Sequence, residues 1–387
     1  STLPPMVGGT AKMMRNLFSP FPQDALVFLR GANRAYRAAQ DAPLRHVEVA
    51  DMPNFLRRRA FRIGLPAWLE YLWAPWVAWR AFRIARRDHV KAIFGNYPFG
   101  YFLLAAWMAS RLARLPLYVY MNSLWEETTD SRADEVAAHL LERRIFRDAA
   151  RVYVPTEAAA DHYEAKHGFR PALLPHAVSP DDEAPPAERG GERGPGMPLR
   201  ILFTGGVYKM NRDALVSMIE AVKGMGRLPD GREVKLLVFA PNTPQGLAAM
   251  GIVPGERVET GFVDTQTAMK LQREVDLLYI PLAFETPWKD EVRTVFPTKA
   301  VEYMVSGTPI LLQAPAGCYT VADARRHGWA EVVDSLDPSS IRAALQRLFS
   351  DEALRRSLVE GARTAAAGRD ARRIARGLQA DMGLLET

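Results

Sequence analysis

The sequence predicts an α/β protein of two domains, each with a parallel sheet covered by helices. The chain has 387 residues, of which 48% are apolar, and this exceeds what a single core usually holds. Short apolar runs alternate with helix-like segments, which is typical of parallel sheets. Residues 181–198 are rich in Pro, Gly and charged residues and show no periodicity, so we expect them to link the two domains.

The first domain is expected to span residues 1–180. Its predicted strands are short apolar runs at residues 25–30, 45–49, 92–95, 117–121, 151–154 and 172–174. The segment 1–12 has the pattern of a strand exit, a glycine loop at Gly8 and Gly9, and a helix entry. We therefore expect the natural protein to have residues before Ser1.

The second domain is expected to span residues 199–365. Its predicted strands lie at residues 199–204 and 234–240, near Val258, Leu277 and Ile310, and at residues 331–333. Asn211 and Asp264 are candidate helix N-caps because each precedes a segment with helical apolar spacing. The tail from 338 to 385 is predicted to be helical.

A cationic aromatic segment at residues 54–91 is the main charge asymmetry. It holds nine basic residues against two acidic ones, interleaved with Trp, Tyr and Phe, and Pro66 and Pro75 predict that it forms short helical pieces. This composition fits an anionic membrane surface, a nucleic-acid surface, or a buried helix pair with a basic outer face. We favour the membrane surface and expect no nucleic-acid partner.

Composition also bounds the compartment and cofactors. The single Cys318 excludes an internal disulfide framework, and the seven His residues do not show the spacing of metal ligands. Arg residues interrupt every apolar run before it reaches the length of a membrane span. We expect a cytoplasmic protein without a metal or other cofactor, peripheral on the membrane if the cationic segment docks there.

The segment 294–310 has the features of a ligand-binding helix. Pro297 suits a first helical turn and Gly307 a C-terminal cap, so the predicted helix runs from 297 to 306. Lys299 and Glu302 share one face of it. Its N-terminus and Lys299 suit a diphosphate, whereas the Glu302 carboxylate can accept from two hydroxyl groups.

With Phe296, Pro297 and Glu302, this segment resembles the retaining GT-B glycosyltransferases that carry an E-x7-E signature. The first Glu of the signature falls on Thr294, and Glu285 or Glu291 are candidates to replace it. Further segments resemble the same family in the expected order: 142–157, 174–178, 202–209 and 260–281. The resemblance implies two Rossmann-like domains facing each other across a cleft, with residues 366–387 returning to the first domain.

The resemblance also implies a function. The expected enzyme is a metal-independent, hexosyltransferase-type glycosyltransferase that moves a sugar with retention from a nucleotide-sugar donor. The expected acceptor is a lipid-linked or membrane-near glycan in cell-envelope polysaccharide synthesis, entering from the first domain through Gly8, Gly9 and residues 95–98, where Asn96 and Tyr97 lie. The catalytic candidates are Glu291, Arg293 and Lys299. The donor-binding candidates are Gly8, Gly9, Gly205, Gly206, Lys209, Phe262, Val263, Thr298 and Glu302.

Two other functions stay open at this point. The same fold class includes nucleotide-sugar epimerases, and Thr294 in place of Glu is compatible with a non-catalytic module that binds sugar nucleotides. An NAD-dependent enzyme is less favoured, because the glycine turns lack a full G-x-G-x-x-G followed by an acidic residue.

Overall fold

The computed structural model describes residues 9–31, 45–49, 66–179 and 196–384. The chain divides into two compact units. The N-terminal unit comprises Ser1–His176 with Arg372–Thr387, and the C-terminal unit comprises Ala177–Ala371. Each contains parallel β-sheet, so the predicted class of two α/β domains is confirmed. The predicted linker lies for the most part outside the described residues.

The strands coincide with the apolar runs of the sequence. They are β1 Val27–Gly31, β2 Arg45–Val49, β3 Ile93–Tyr97, β4 Leu117–Met121, β5 Arg151–Val154, β6 Ala172–Leu173, β7 Leu199–Thr204, β8 Val234–Phe239, β9 Val258–Gly261, β10 Leu277–Pro281, β11 Ile310–Gln313 and β12 Glu331–Val333.

The helices occupy the amphipathic segments between these strands and the tail of the chain. They are α1 Gly9–Phe18, α2 Pro66–Arg87, α3 Gly100–Ala113, α4 Arg132–Asp148, α5 Glu157–His167, α6 Arg212–Lys223, α7 Pro244–Ala249, α8 Thr265–Glu274, α9 Lys289–Thr294, α10 Thr298–Met304, α11 Tyr319–His327, α12 Pro338–Ser350, α13 Glu352–Ala367 and α14 Ala371–Asp381.

In the N-terminal unit the strands pair in the order β3-β4-β5-β6, all in parallel, and β1 pairs in parallel with β2. All five residues of β4 are buried, because layers of helices cover both of its faces. Tyr118 and Tyr120 pack with Met13, Met14 and Leu17 of α1 on one face. Because β3 and β4 are parallel neighbours, their carboxyl ends meet at one edge of this sheet.

The helix α14 belongs to the N-terminal unit. Its residue Asp381 accepts hydrogen bonds from the Arg151 guanidinium at 2.7 Å and from the Tyr153 hydroxyl at 2.9 Å. The Tyr118 hydroxyl donates to the main-chain carbonyl of Asp381. Three side chains on β4 and β5 thus fix the end of α14 to this sheet.

The prediction that Pro66 and Pro75 divide the cationic segment is wrong for the described residues from 66 onward. The helix α2 continues for 22 residues with Pro75 inside it. Pro66 occupies the first helical position, where no N–H is needed. Pro75 removes one hydrogen bond, but it lies on the exposed face, and packing of the opposite face against α3 holds the helix together.

In the C-terminal unit one parallel sheet of six strands has the order β12-β11-β10-β7-β8-β9. Neighbouring residues of β7 enter different cores: Ile201 packs with Leu215 of α6, and Leu202 packs with Val301 of α10. This alternation follows from the two-residue period of a strand. The loops that follow β7, β8 and β10 therefore emerge at the carboxyl edge of a sheet covered on both faces.

Two segments that border the C-terminal unit run side by side. The Val178 amide donates to the Arg369 carbonyl at 2.8 Å, and the Ala371 amide donates to the Val178 carbonyl at 2.9 Å.

Among the helices of the described residues, none is long and apolar enough to cross a membrane.

Candidate functional site

The glycine turn after β7 forms one wall of the candidate site. Gly205 has a φ of 142°, a conformation that favours glycine, and its amide donates to the Phe239 carbonyl at the end of β8. Gly206 lies in open space, because a Cβ added there would meet no atom within 4 Å. The turn thus presents bare backbone at the carboxyl edge of the sheet, where ligands bind in α/β proteins.

Two asparagines hold the loop that follows this turn. The Asn211 carboxamide accepts from the Tyr208 amide and donates to the Gly206 carbonyl, each at 3.0 Å. Asn242 pairs with both main-chain groups of Val207 at 2.9 Å. Asn211 stands at the N-cap position of α6 as predicted, but its side chain makes no capping hydrogen bond to the helix, because it is committed to the loop.

The Lys299–Glu302 pair of α10 lies against the glycine turn. Their charged groups are 3.5 Å apart, with side chains 29% and 13% exposed. A Cβ at Gly205 would lie 3.0 Å from Lys299 Cε, so the lysine stem passes directly over the glycine. The structure therefore brings together Gly205, Lys299 and Glu302. Thr298 is the first residue of α10, and Pro297 is its N-cap rather than its first helical residue.

Tyr303 ties α10 to β7. Its buried hydroxyl accepts from the Thr204 amide at 3.1 Å and lies 3.1 Å from the Thr204 hydroxyl. Burial raises the pKa of Tyr303, so the group stays neutral and keeps its proton for donation. The sequence reasoning missed this residue, although it directly follows Glu302 on the same helix.

Lys209 is held by an aromatic ring at the same edge. Its Nζ lies 4.5 Å from the centroid of Trp288, which precedes α9, and this distance indicates a cation–π contact. The Asp213 carboxylate accepts from the amides of Phe284 and Glu285 and so anchors the loop that carries Trp288. The sequence reasoning did not assign this aromatic partner.

The candidates on α9 point in different directions. Glu291 is 5% exposed, whereas Arg293 is exposed and pairs with Asp290 on its own helix at 3.1 Å. Thr294 is buried, and its hydroxyl donates to the Asp290 carbonyl at 2.9 Å. Thr294, which stands where the resembling family has the first Glu of its signature, thus directs its side chain towards the backbone of its own helix.

The remaining predicted donor-binding residues are not part of the glycine turn or of α10. Phe262 and Val263 follow β9, and the Phe262 side chain is 68% exposed. Gly8 lies outside the described residues, and Gly9 is the first residue of α1 in the N-terminal unit.

Arg369 connects the border of the C-terminal unit with the start of α10. Its guanidinium carbon lies 3.9 Å from the centroid of Phe296, the residue before the N-cap of α10. The same guanidinium lies 3.7 Å from Asp323, and both side chains are about nine-tenths buried. Asp323 also accepts from the Trp329 indole at 2.8 Å. A desolvated cation therefore supports the segment that leads into α10.

At the carboxyl edge of the N-terminal sheet, three buried carboxamide atoms have no hydrogen-bond partner among the described residues. Both polar atoms of Asn96 on β3, and Oδ1 of Asn122 just after β4, are buried without a hydrogen bond. Asn96 pairs in register with Tyr120. Asn122 comes two residues after Tyr120, just beyond β4, so its side chain is expected on the same face of the sheet. Unsatisfied buried polar groups are costly, and a hydroxyl-bearing ligand would satisfy these atoms. The sequence reasoning named Asn96 but missed Asn122.

Family comparison assigns both halves of the chain. Residues 8–177 match the family described as "Glycosyl transferase 4-like domain", and residues 198–351 match "Glycosyl transferases group 1". The chain carries the two domains of a GT-B glycosyltransferase. The Lys299–Glu302 pair and the glycine turn lie in the group 1 domain, and the two carboxamides lie in the 4-like domain.

Solved structures show the same GT-B fold at low sequence identity. HepE from Anabaena in complex with UDP-glucose is 14% identical, with a TM-score of 0.68 over 100% of this chain and 98% of that chain. Sucrose-phosphate synthase from Thermosynechococcus elongatus is 15% identical, with a TM-score of 0.66 over 96% and 90%. An α,α-trehalose-phosphate synthase (UDP-forming) from Burkholderia vietnamiensis is 15% identical, with a TM-score of 0.63 over 96% of each chain. No curated protein matches the sequence.

Proposed function

We propose that this GT-B glycosyltransferase moves a hexosyl group, with retention and without a metal ion, from a nucleotide-sugar donor to a membrane-near acceptor. The observation that carries the proposal is the Lys299–Glu302 pair against the Gly205 turn in the group 1 domain. HepE, which shares the fold, binds UDP-glucose, and this supports a UDP-sugar as the first donor to test.

The proposed roles follow from the charge that develops during transfer. Departure of the sugar leaves a diphosphate with increasing negative charge, and Lys299 beside the bare backbone of Gly205 and Gly206 is placed to stabilise it. Lys209 on Trp288 supplies a second cation at the same edge. The leaving phosphate takes the acceptor proton, so the proposal needs no protein base. We assign no step to the other two catalytic candidates on α9.

Glu302 is proposed to hold the donor ribose. Its carboxylate is mostly buried and makes its ion pair with Lys299 through Oε2, which leaves Oε1 for hydroxyl groups. Phe262, Val263 and Thr298 are proposed to line the remainder of the nucleotide site.

We place the acceptor at the N-terminal sheet edge. A carboxamide can both donate and accept hydrogen bonds, so the unsatisfied atoms of Asn96 and Asn122 match the paired hydroxyl groups of a sugar. We propose a lipid-linked or membrane-near glycan in cell-envelope polysaccharide synthesis, with the enzyme in the cytoplasm.

Nucleotide binding tests the donor site directly. UDP-, GDP-, ADP- and TDP-sugars are added in turn, and one of them should raise the melting temperature, because a ligand that binds only the folded state stabilises it. Glu302→Gln should weaken the affinity for that nucleotide by about 1–3 kcal/mol, the value of a charge-assisted hydrogen bond. Glu360→Gln on the exposed side of α13 is the matched control. Equal affinity of both variants in calorimetry would contradict the assignment.

A non-catalytic module that binds sugar nucleotides is the second candidate. The buried Thr294, bonded to its own helix, favours it because no carboxylate stands where the resembling family has one. Nucleotide binding without turnover of any donor, including its hydrolysis, would support this alternative.

A further inference from the structure

The outward face of α2 has a composition that is unusual for a surface helix. The exposed residues from 68 to 86 are Trp68, Leu72, Pro75, Trp79, Arg83 and Arg86. At about 100° per residue, all six fall within an arc of about 80°. We call this set the α2 face. The apolar residues form its first three turns, and the arginines form its last two.

The inner side of α2 already has its packing partner. Ala74, Val77, Ala78 and Ala85 are buried, and the first three cluster with Ala105 and other residues of α3. The exposed aromatic and aliphatic side chains are therefore not needed to hold the helix in the N-terminal unit. Leu72 is 74% exposed, and the two tryptophans are 43% and 45% exposed. Exposed apolar side chains aligned over about 16 Å indicate an interaction surface for another molecule or a membrane.

The charges at the C-terminal end of α2 indicate what it docks on. Arg83 lies over the Trp79 ring at 5.0 Å, so its charge stays at the boundary of the apolar part. Arg86 and Arg87 are exposed one turn later. Asp88, the nearest acidic residue, is neutralised by two hydrogen bonds from Arg87 at 2.8 Å. An apolar strip with Trp that leads into the exposed Arg83 and Arg86 matches the interface of an anionic bilayer, where Trp sits at the headgroups and Arg contacts lipid phosphate.

We propose that the α2 face docks the protein on an anionic lipid bilayer. This rests on the proposed function in one respect, since it brings the enzyme to the surface where a lipid-linked acceptor would lie. Residues 54–65, which also belong to the predicted cationic segment, lie outside the described residues.

Vesicle flotation of the full chain tests the proposal. The wild type should float at low salt with phosphatidylcholine vesicles that contain about 30% phosphatidylglycerol, and much less with pure phosphatidylcholine or at high salt. Each arginine near an anionic surface strengthens binding about fivefold, so Arg83→Gln with Arg86→Gln should weaken it about 25-fold. Leu72→Ser should weaken it about tenfold through loss of the apolar contact.

Matched controls lie in the C-terminal unit. Val253→Ser removes an apolar side chain that is 48% exposed, and Arg356→Gln removes an exposed arginine of α13. Both should float like the wild type. Because every substituted side chain is exposed, melting temperatures should be unchanged, which separates docking from folding.

Three outcomes would overturn the proposal: no flotation of the wild type on anionic vesicles at low salt, flotation that the α2 variants leave unchanged, or a wild-type dimer that Leu72→Ser dissociates without any vesicle binding. The last outcome would identify a second copy of the chain as the occupant. Nucleotide affinity is measured on the same samples. Flotation without nucleotide binding would refute the proposed function but not the docking proposal. Nucleotide binding without flotation would refute the docking proposal but not the proposed function.

Discussion

Replacing Gly205 by alanine should disturb the candidate donor site in two ways. The residue has a φ of 142°, so any side chain there strains the backbone, at a cost of about 1–3 kcal/mol in the free energy of unfolding. The new Cβ would also lie 3.0 Å from Lys299 Cε, which is closer than most real contacts. Because Lys299 is flexible, we expect its stem to move away rather than the backbone to shift.

Movement of Lys299 should weaken nucleotide binding separately from stability. Loss of one charge-assisted contact to phosphate corresponds to about 1.5–3 kcal/mol, or roughly ten- to 150-fold in affinity. Gly226→Ala is the matched control, because this glycine of the same unit has open space around it, no positive φ and no place in the proposed donor site. Urea unfolding gives the stability of both variants, and calorimetry with the nucleotide gives the affinity. If the two variants behave alike in both measurements, the contact between Lys299 and the glycine turn does not have the importance assigned to it.

Two further predictions concern buried charges. Burial opposes ionisation of Glu127, but hydrogen bonds from His162 and Lys166 outweigh it and lower its pKa from 4.5 to about 2. Its contribution to stability, about 3 kcal/mol, should therefore be complete above pH 4.5 and disappear as the pH falls towards 2. Urea unfolding of wild type and Glu127→Gln should show a gap that closes over this range, and a constant gap would contradict the assignment. Arg369→Ala should lower the free energy of unfolding by about 2–4 kcal/mol, because it removes a desolvated cation from Phe296 and takes the arginine partner from the buried Asp323 carboxylate. A loss below about 1 kcal/mol in urea unfolding would show that the cation matters little there.

The strands were predictable because the sheets are parallel and covered on both faces. A covered strand is predominantly apolar, so runs such as 117–121 and 199–204 stand out from the polar segments around them, and the observed β4 and β7 have those bounds. Local chemistry fixed some helix ends equally well. Asp264 caps α8 with its side chain on the Thr267 amide, as its position in the sequence predicts.

Local chemistry gave an incomplete account at two positions. Asn211 stands at the predicted N-cap position of α6, yet its carboxamide bonds to groups three and five residues earlier and holds the loop after the glycine turn. Pro75 has the signature of a helix breaker, yet α2 continues through it, because packing against α3 outweighs one lost hydrogen bond. At Pro75 contacts far along the chain decide the outcome.

The sequence by itself determined the two-domain α/β class, the run of the strands and the charged residues of α10, since each depends on residues close together in the chain. Tertiary structure alone decided that Lys299 lies over Gly205, that Lys209 rests on Trp288 and that the apolar side chains of α2 face outward. Each of these features depends on contacts between segments that are far apart along the chain. Neither the periodicity nor the composition of the sequence shows which distant segments will meet. Contact between distant segments is settled only when the sheet and its helices assemble, and the chemistry of this site lies in those contacts.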